Sequence, residues 1–161
     1  MNDRLSGIAS RLGATLNGAD AEVSRIVTDT RALRPGDLLV ALQGERFDAH
    51  DFLAEAREKG AVGAVVARPV ADPLAQVEVP DTRLALGLLA RAHRLGWGGK
   101  LIAVTGNSGK TTVKEMLASI LRRRAPTLAT RGNLNNDIGA PLTLLELDAE
   151  QRYAAIELGA N

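Results

Sequence analysis

The residues best suited to chemistry form one run, Thr105-Gly106-Asn107-Ser108-Gly109-Lys110-Thr111-Thr112. Its residue types meet the demands of a phosphate group. Glycines let backbone N–H groups close around an anion, and a helix starting at the end of the run presents unpaired donors and the positive end of its dipole. Lys110 can set a cation against the β- and γ-phosphates, and the Thr111 hydroxyl can ligate Mg2+. The spacing departs from the general phosphate-loop pattern, because Val104 stands five residues before Gly109 and the loop glycine is Gly106. A turn that merely contains Gly-Lys-Thr is the alternative. The apolar run before it and the amphipathic run after it favour nucleotide binding. Such a loop implies ATP or GTP without specifying a reaction.

Two further features lie downstream. Glu157 is the one carboxylate in Ala154-Ala155-Ile156-Glu157-Leu158-Gly159, near the C-terminal end of an apolar strand. Ligand sites of open parallel sheets lie beyond such strand ends. Glu157 can therefore complete a Mg2+ shell that Thr111 begins, or it is an ordinary solvated strand-end acid. The segment Gly132-Asn133-Leu134-Asn135-Asn136-Asp137-Ile138-Gly139-Ala140-Pro141 is rich in asparagine. Taken alone it reads as turn and N-cap chemistry before a helix starting near Pro141.

The elements that must position these groups follow from apolar patterning. Leu101–Val104 reads as a buried central strand of a parallel sheet. Val113, Met116, Leu117, Ile120 and Leu121 fall at i, i+3, i+4, i+7 and i+8, which predicts a helix with one apolar stripe. Arg122, Arg123 and Arg124 at its end suit the negative end of the helix dipole and a solvated terminus. Leu84, Leu88, Leu89, Ala92 and Leu95 mark an earlier helix, capped by Asp81 or Thr82 and ending at Gly96. Pro126–Thr130 and Ala154–Leu158 are further strands. In the first part, Arg25–Thr28, Leu38–Leu42 and Val62–Ala67 read as strands, with a helix over Asp51–Lys59. Alternating strands and helices give an α/β fold.

The chain has 161 residues, with 20 Lys and Arg against 19 Asp and Glu, and no Cys. Disulfides and thiol chemistry are excluded. Near-neutral charge and four aromatic residues argue against a nucleic-acid surface. No apolar run reaches the length of a membrane span and no secretory leader is evident, so a cytoplasmic setting is expected. The neutral total hides an asymmetry. Residues 1–80 carry 9 basic and 12 acidic groups, and residues 81–161 carry 11 and 7. The shift, with Pro73 and Pro80 as punctuation, predicts a boundary near Pro80.

The phosphate run resembles the ATP loop of the Mur ligase family, whose spacing, Gly-x-x-Gly-Lys-Thr, accounts for the departure noted above. Gly132–Pro141, with Glu157-Leu158-Gly159-Ala160-Asn161, is similar to the branch that adds a D-Ala-D-Ala dipeptide to UDP-MurNAc-tripeptide. Thr28-Asp29-Thr30-Arg31, Pro35-Gly36-Asp37 and the run from Ala41 to Phe52 resemble the UDP-sugar-binding domain of two of its branches. The resemblance runs from about residue 22 to residue 161.

The resemblance implies a small N-terminal α/β domain over residues 1–80 that binds the UDP-MurNAc-peptide. The opening of an ATP-binding α/β domain with a mainly parallel sheet would follow over residues 81–161. It implies ATP and Mg2+ as cofactors, UDP-MurNAc-tripeptide and D-Ala-D-Ala as substrates, and a monomer with no nucleic-acid or membrane partner. ATP would phosphorylate a carboxylate, and an amine would then displace phosphate. Thr105–Thr112 would hold the nucleotide. Lys110 would stabilise the transferring phosphoryl group, and Thr111 and Glu157 would hold Mg2+. Asn133 and Asn136 would lie near the substrate carboxylate. Thr30, Arg31, Gly44, Arg46, Phe47, Asp48 and His50 would contact the UDP-sugar, with Arg31 or Arg46 on the diphosphate. Phe47 would pack on the uracil or in the core, and His50 would bind without acid–base work. The family's later metal-binding His, carbamylated Lys and C-terminal domain lie outside these 161 residues. On that ground the chain alone is expected to bind ATP weakly and not to ligate. Other branches of the family, a folate-polyglutamylating relative or a nucleotide-sensing module are the rival readings.

Overall fold

A computed structural model describes residues 3–45 and 47–159. The chain divides into two compact units, 1–89 and 90–161. This division falls inside a helix, beyond the Pro80 punctuation at which the charge balance shifts.

In the first unit the elements run β1 (Asp3–Arg4), α1 (Leu5–Leu12), β2 (Thr15–Asn17), β3 (Glu22–Val23), β4 (Arg25–Val27), β5 (Asp37–Val40), α2 (Leu53–Glu58), β6 (Gly63–Val66) and β7 (Gln76–Glu78). A five-stranded sheet has the order β2-β7-β6-β5-β4. Its four strands β4 to β7 are parallel, and β2 closes the edge antiparallel to β7. Strands β5 and β6 are buried along their whole length, as parallel strands covered on both faces must be. Leu39, Ala64 and Val66 pack with Leu53 and Ala56 of α2, while Leu5 of α1 closes on Gly63. A tight turn feeds β5. The buried Asp37 carboxylate accepts from Arg25 at 3.0 and 2.5 Å and from the Arg34 N–H at 2.8 Å. The predicted helix over Asp51–Lys59 is shorter, because a 3-10 turn at Ala49–Phe52 precedes α2.

Helix α3 (Thr82–Trp97) follows, and the Asp81 carboxylate caps it by accepting from Arg83 and Leu84 N–H. Its buried positions include Ala85, Leu86, Leu89 and Ala90, whereas Leu84, Leu88 and Leu95 are exposed. The predicted stripe is therefore rotated away from the buried side.

The second unit contains β8 (Lys100–Val104), α4 (Lys110–Arg122), β9 (Thr127–Ala129), α5 (Gly139–Leu145) and β10 (Tyr153–Glu157). Its sheet has the order β8-β10-β9, all parallel. Strand β8 is thus an edge strand among the described residues, not a central one, and Ile102 is exposed. Helix α4 also differs from its pattern. Met116 and Ile120 are 62% and 60% exposed, while Lys114 and Ala118 are buried. The three strands cover the flank of α4 that carries Lys114 and Ala118, with Leu117 partly buried against it, so Met116 and Ile120 face away from them. Arg122, Arg123 and Arg124 are exposed at the helix end. No helix among the described residues is long and apolar enough to cross a membrane.

Leu39 is fully buried between β4 and β6. Replacing Leu39 by Ala removes methyl groups from a site that cannot collapse around the loss. The expected cost is about 2–5 kcal/mol, read as a lower urea midpoint at unchanged m-value.

Candidate active site

The chemistry-bearing loops of the second unit leave the carboxyl ends of three parallel strands. Thr105–Gly109 follows β8, Thr130–Asn136 follows β9, and Glu157 ends β10. This edge is where open α/β sheets bind ligands. Gly106 and Gly109 have φ of 141° and 74°, values that a residue with a Cβ rarely adopts, so the loop can turn its backbone inward before α4 begins. Lys110 Nζ donates to the Gly106 carbonyl at 2.7 Å, lying across the loop it serves. A phosphate entering there would exchange that carbonyl for its own oxygens.

Glu157 is the centre of the arrangement. The residue is 3% exposed. Its Oε2 accepts from the Thr111 hydroxyl at 2.9 Å, and its Oε1 accepts from the Asn135 amide at 2.9 Å. The Glu157 backbone N–H donates to Thr130 Oγ1 at 2.9 Å. The Asn135 hydrogen bond holds the carboxyl below its ordinary value. Burial acts the other way, and the Thr111 hydroxyl and the Lys114 and Lys110 charges reinforce the lowering. An ionised carboxylate therefore sits beside a threonine hydroxyl at the N-terminus of α4.

These donors fit Mg2+, which is commonly held by one or two carboxylates together with substrate phosphates and waters. No cluster of three or more His, Cys, Asp or Glu capable of holding a metal occurs among the described residues. A cation here would thus depend on phosphate oxygens for much of its shell.

Asn133 and Asn136, predicted near the substrate, do not contact Glu157 by any hydrogen bond in the structure. The Asn136 side chain accepts from the Ile138 and Gly139 N–H groups at 3.3 and 2.7 Å, which is N-terminal chemistry for α5. Asn135 is the asparagine that reaches the acid. Nothing in the spacing distinguished it from its neighbours. Its aim is set by Gly139, where a Cβ would lie 2.5 Å from Leu134 Cα, and by its carbonyl, which accepts the Gly159 N–H at 2.7 Å. Lys114 and Thr130 were likewise not anticipated.

The first unit places its predicted residues on loops after β4 and β5, at the carboxyl edge of its own sheet. Thr30 is buried and its carbonyl accepts from Lys59 Nζ at 2.9 Å. Arg31 is exposed and paired with Asp29, at 3.0 Å from Nε and 2.7 Å from Nη2, which holds the Asp29 carboxyl down to about 2. Gly44 N–H donates to the Phe47 carbonyl at 2.8 Å. Phe47 is 51% exposed and stacks on Phe52 with ring centroids 4.9 Å apart. Arg46 lies outside the described residues.

His50 is buried, and both of its ring nitrogens are engaged. Nε2 accepts from the Ala67 N–H at 2.8 Å, so the ring proton is on Nδ1, 2.5 Å from Asp48 Oδ1. His50 thereby ties the loop after β5 to the end of β6. Burial tends to raise the Asp48 carboxyl, but hydrogen bonds from His50 and Arg68 outweigh it and hold the group down to about 2.

Two sequence families match this chain. The Mur ligase family catalytic domain matches residues 22–94, and the Mur ligase middle domain matches residues 104–161. The UDP-N-acetylmuramoyl-tripeptide–D-alanyl-D-alanine ligase of Escherichia coli K12 is 54% identical over 98% of the chain. This chain belongs to the Mur ligase family. A crystal structure of MurF from Acinetobacter baumannii superposes with a TM-score of 0.90 at 50% identity, over 95% of this chain. MurF from Thermotoga maritima in complex with ADP does so at 0.77 and 34%, over 86% of this chain. The chain spans about a third of the length of these Mur ligases, 35%, 35% and 32% respectively.

Because the folded pKa of Asp48 is depressed, the unfolded chain binds its proton first as pH falls. The Asp48 contribution is thus complete above the ordinary carboxylate pKa of 3.8 and is lost as pH drops towards about 2. Asp48→Asn is expected to lower stability at neutral pH and to flatten this acid limb, measured by urea unfolding between pH 2 and 7.

Proposed function

We propose that this chain supplies the UDP-sugar-binding and nucleotide-binding portions of an ATP-dependent ligase. That ligase would add D-Ala-D-Ala to UDP-MurNAc-tripeptide in peptidoglycan precursor synthesis. The observation that carries the reading is the pairing of Thr111 with the buried Glu157 at 2.9 Å, beside Lys110 on the phosphate loop. A nucleotide-binding fold alone does not require an acid there. A phosphoryl-transfer site uses one to hold the Mg2+ that would neutralise charge on the phosphates where it develops.

Residues 1–80 would hold the UDP-MurNAc-peptide, using Thr30, Arg31 and the loop from Gly44 to His50. Arg31 would exchange Asp29 for diphosphate oxygens, and the exposed face of Phe47 offers a surface for the uracil. Residues 81–161 would hold ATP. The loop N–H groups and Lys110 would bind and orient the β- and γ-phosphates towards the substrate carboxylate. Transfer of the γ-phosphoryl group to that carboxylate leaves ADP and turns a carboxylate oxygen into part of a leaving group. Attack by the D-Ala-D-Ala amine then forms the amide bond, with loss of phosphate and one proton. Mg2+, held by Thr111 and Glu157, would supply charge neutralisation between the phosphates. The cytoplasm, where ATP is available, is the compartment that goes with this reaction. The 161 residues by themselves would bind nucleotide weakly and not ligate, since they span about a third of the relatives' length.

The reading is tested by phosphate release from the intact protein supplied with ATP, UDP-MurNAc-tripeptide and D-Ala-D-Ala. Turnover is expected to require both substrates, and Lys110→Ala or Glu157→Gln to lower kcat on the order of 100-fold. Nucleotide binding without substrate-dependent release would instead mark a sensor.

A further inference from the structure

Among the described residues Lys114 is the largest fully buried side chain, and it has no part in the reaction as described above. It lies one turn beyond Thr111 on α4, on the same side of the helix. Its Nζ donates to the Thr130 carbonyl at 2.8 Å and contacts the Glu115 carboxylate. Thr130 directly follows β9, and its hydroxyl accepts the backbone N–H of Glu157. Glu157 in turn accepts from Thr111, back at the start of α4. Four residues thus close a circuit of hydrogen bonds, from α4 to the start of the loop after β9, from there to β10, and from β10 back to α4.

Packing does not explain an ammonium in this place. Burying such a charge costs several kcal/mol, and an apolar side chain of similar volume is often neutral or better for stability. Glu115, which stays largely exposed, offsets only part of that cost. The site gains something an apolar residue cannot provide, a fixed donor to the one carbonyl whose residue also anchors Glu157.

We propose that Lys114 is a positioning residue for the cation-dependent nucleotide site, acting through Thr130 to set the position from which Glu157 meets Thr111. This rests on the reading of Thr111 and Glu157 as the Mg2+ ligands. Lys114 itself touches neither nucleotide nor substrate. It fixes the end of β9 against α4, and the Thr130 hydroxyl carries that placement to the Glu157 backbone. Loss of an outer-shell partner of this kind typically costs about 10- to 100-fold in metal affinity or activity.

The test uses the intact protein with Lys110 and Thr111 unchanged, and compares Lys114→Met, Thr130→Val and the double variant. Thermal unfolding is followed together with ADP affinity by isothermal titration, with and without Mg2+, and with kcat. Each single variant is expected to stay folded and to bind ADP like the parent without Mg2+. Each should lose about tenfold of the Mg2+-dependent gain in affinity, with kcat falling and KM for D-Ala-D-Ala unchanged. The double variant should be little worse than the poorer single one, because both break the same path. Parent-like Mg2+ dependence in either folded variant, or full additivity, overturns the proposal. Loss of folding in both assigns Lys114 and Thr130 to packing and overturns it too. A parent whose ADP affinity does not respond to Mg2+ overturns the ligand reading itself, which is a separate failure.

Discussion

An ionised carboxylate at the buried end of a strand is costly unless every oxygen has a partner. Glu157 meets that condition with Thr111 on one oxygen and Asn135 on the other, and its own backbone is held by Thr130. The second unit is arranged around this requirement. The parallel order β8-β10-β9 puts the acid on the middle strand, flanked on one side by the phosphate loop and on the other by the asparagine loop. Had β10 been at an edge, no pair of loops could have reached both oxygens. The same hydrogen bonds that make burial tolerable leave the carboxylate charged and aimed at the N-terminus of α4.

The first unit solves a related problem with an imidazole ring in place of a buried acid. Its loop after β5 carries much of the predicted sugar contact, yet long polar loops are not self-supporting. His50 is buried beneath it and uses both nitrogens, one to Asp48 and one to the Ala67 backbone. The exposed Phe47 is thereby presented from a braced loop. Both units follow one rule, that a parallel sheet exposes its functional loops at the carboxyl ends of its strands.

Much of this was legible beforehand. The strands over Arg25–Val27, Gly63–Val66 and Tyr153–Glu157 are short apolar runs bounded by turn residues, a signal that survives without tertiary context. The phosphate loop was legible because its backbone conformation is written into Gly106 and Gly109. Helix faces were less so. The apolar stripe of α4 predicts burial of Met116 and Ile120, but the three strands present cover the Lys114 and Ala118 flank instead. Periodicity reports that a helix has a face to bury, not which neighbour will bury it. Helix α1 is absent from the sequence-based expectations although it carries a helical pattern, with Leu5, Ile8, Ala9 and Leu12 at i, i+3, i+4 and i+7, whereas the three-residue β2 is too short to show one.

The sequence by itself determined the chemistry on offer: a phosphate-binding loop, a lone strand acid, an asparagine-rich turn, and no thiol. These are local properties, set by residue type and by backbone preference within a few positions. Only the tertiary structure decided which of these groups meet. It brought Asn135, not Asn133 or Asn136, to Glu157, put Asn136 to work at the start of α5, and sank Lys114 beside Thr130. Those outcomes depend on strand order and on the register between elements far apart in the chain. No local pattern contains them, because the partners that select one asparagine or one lysine are supplied by the opposite side of the fold.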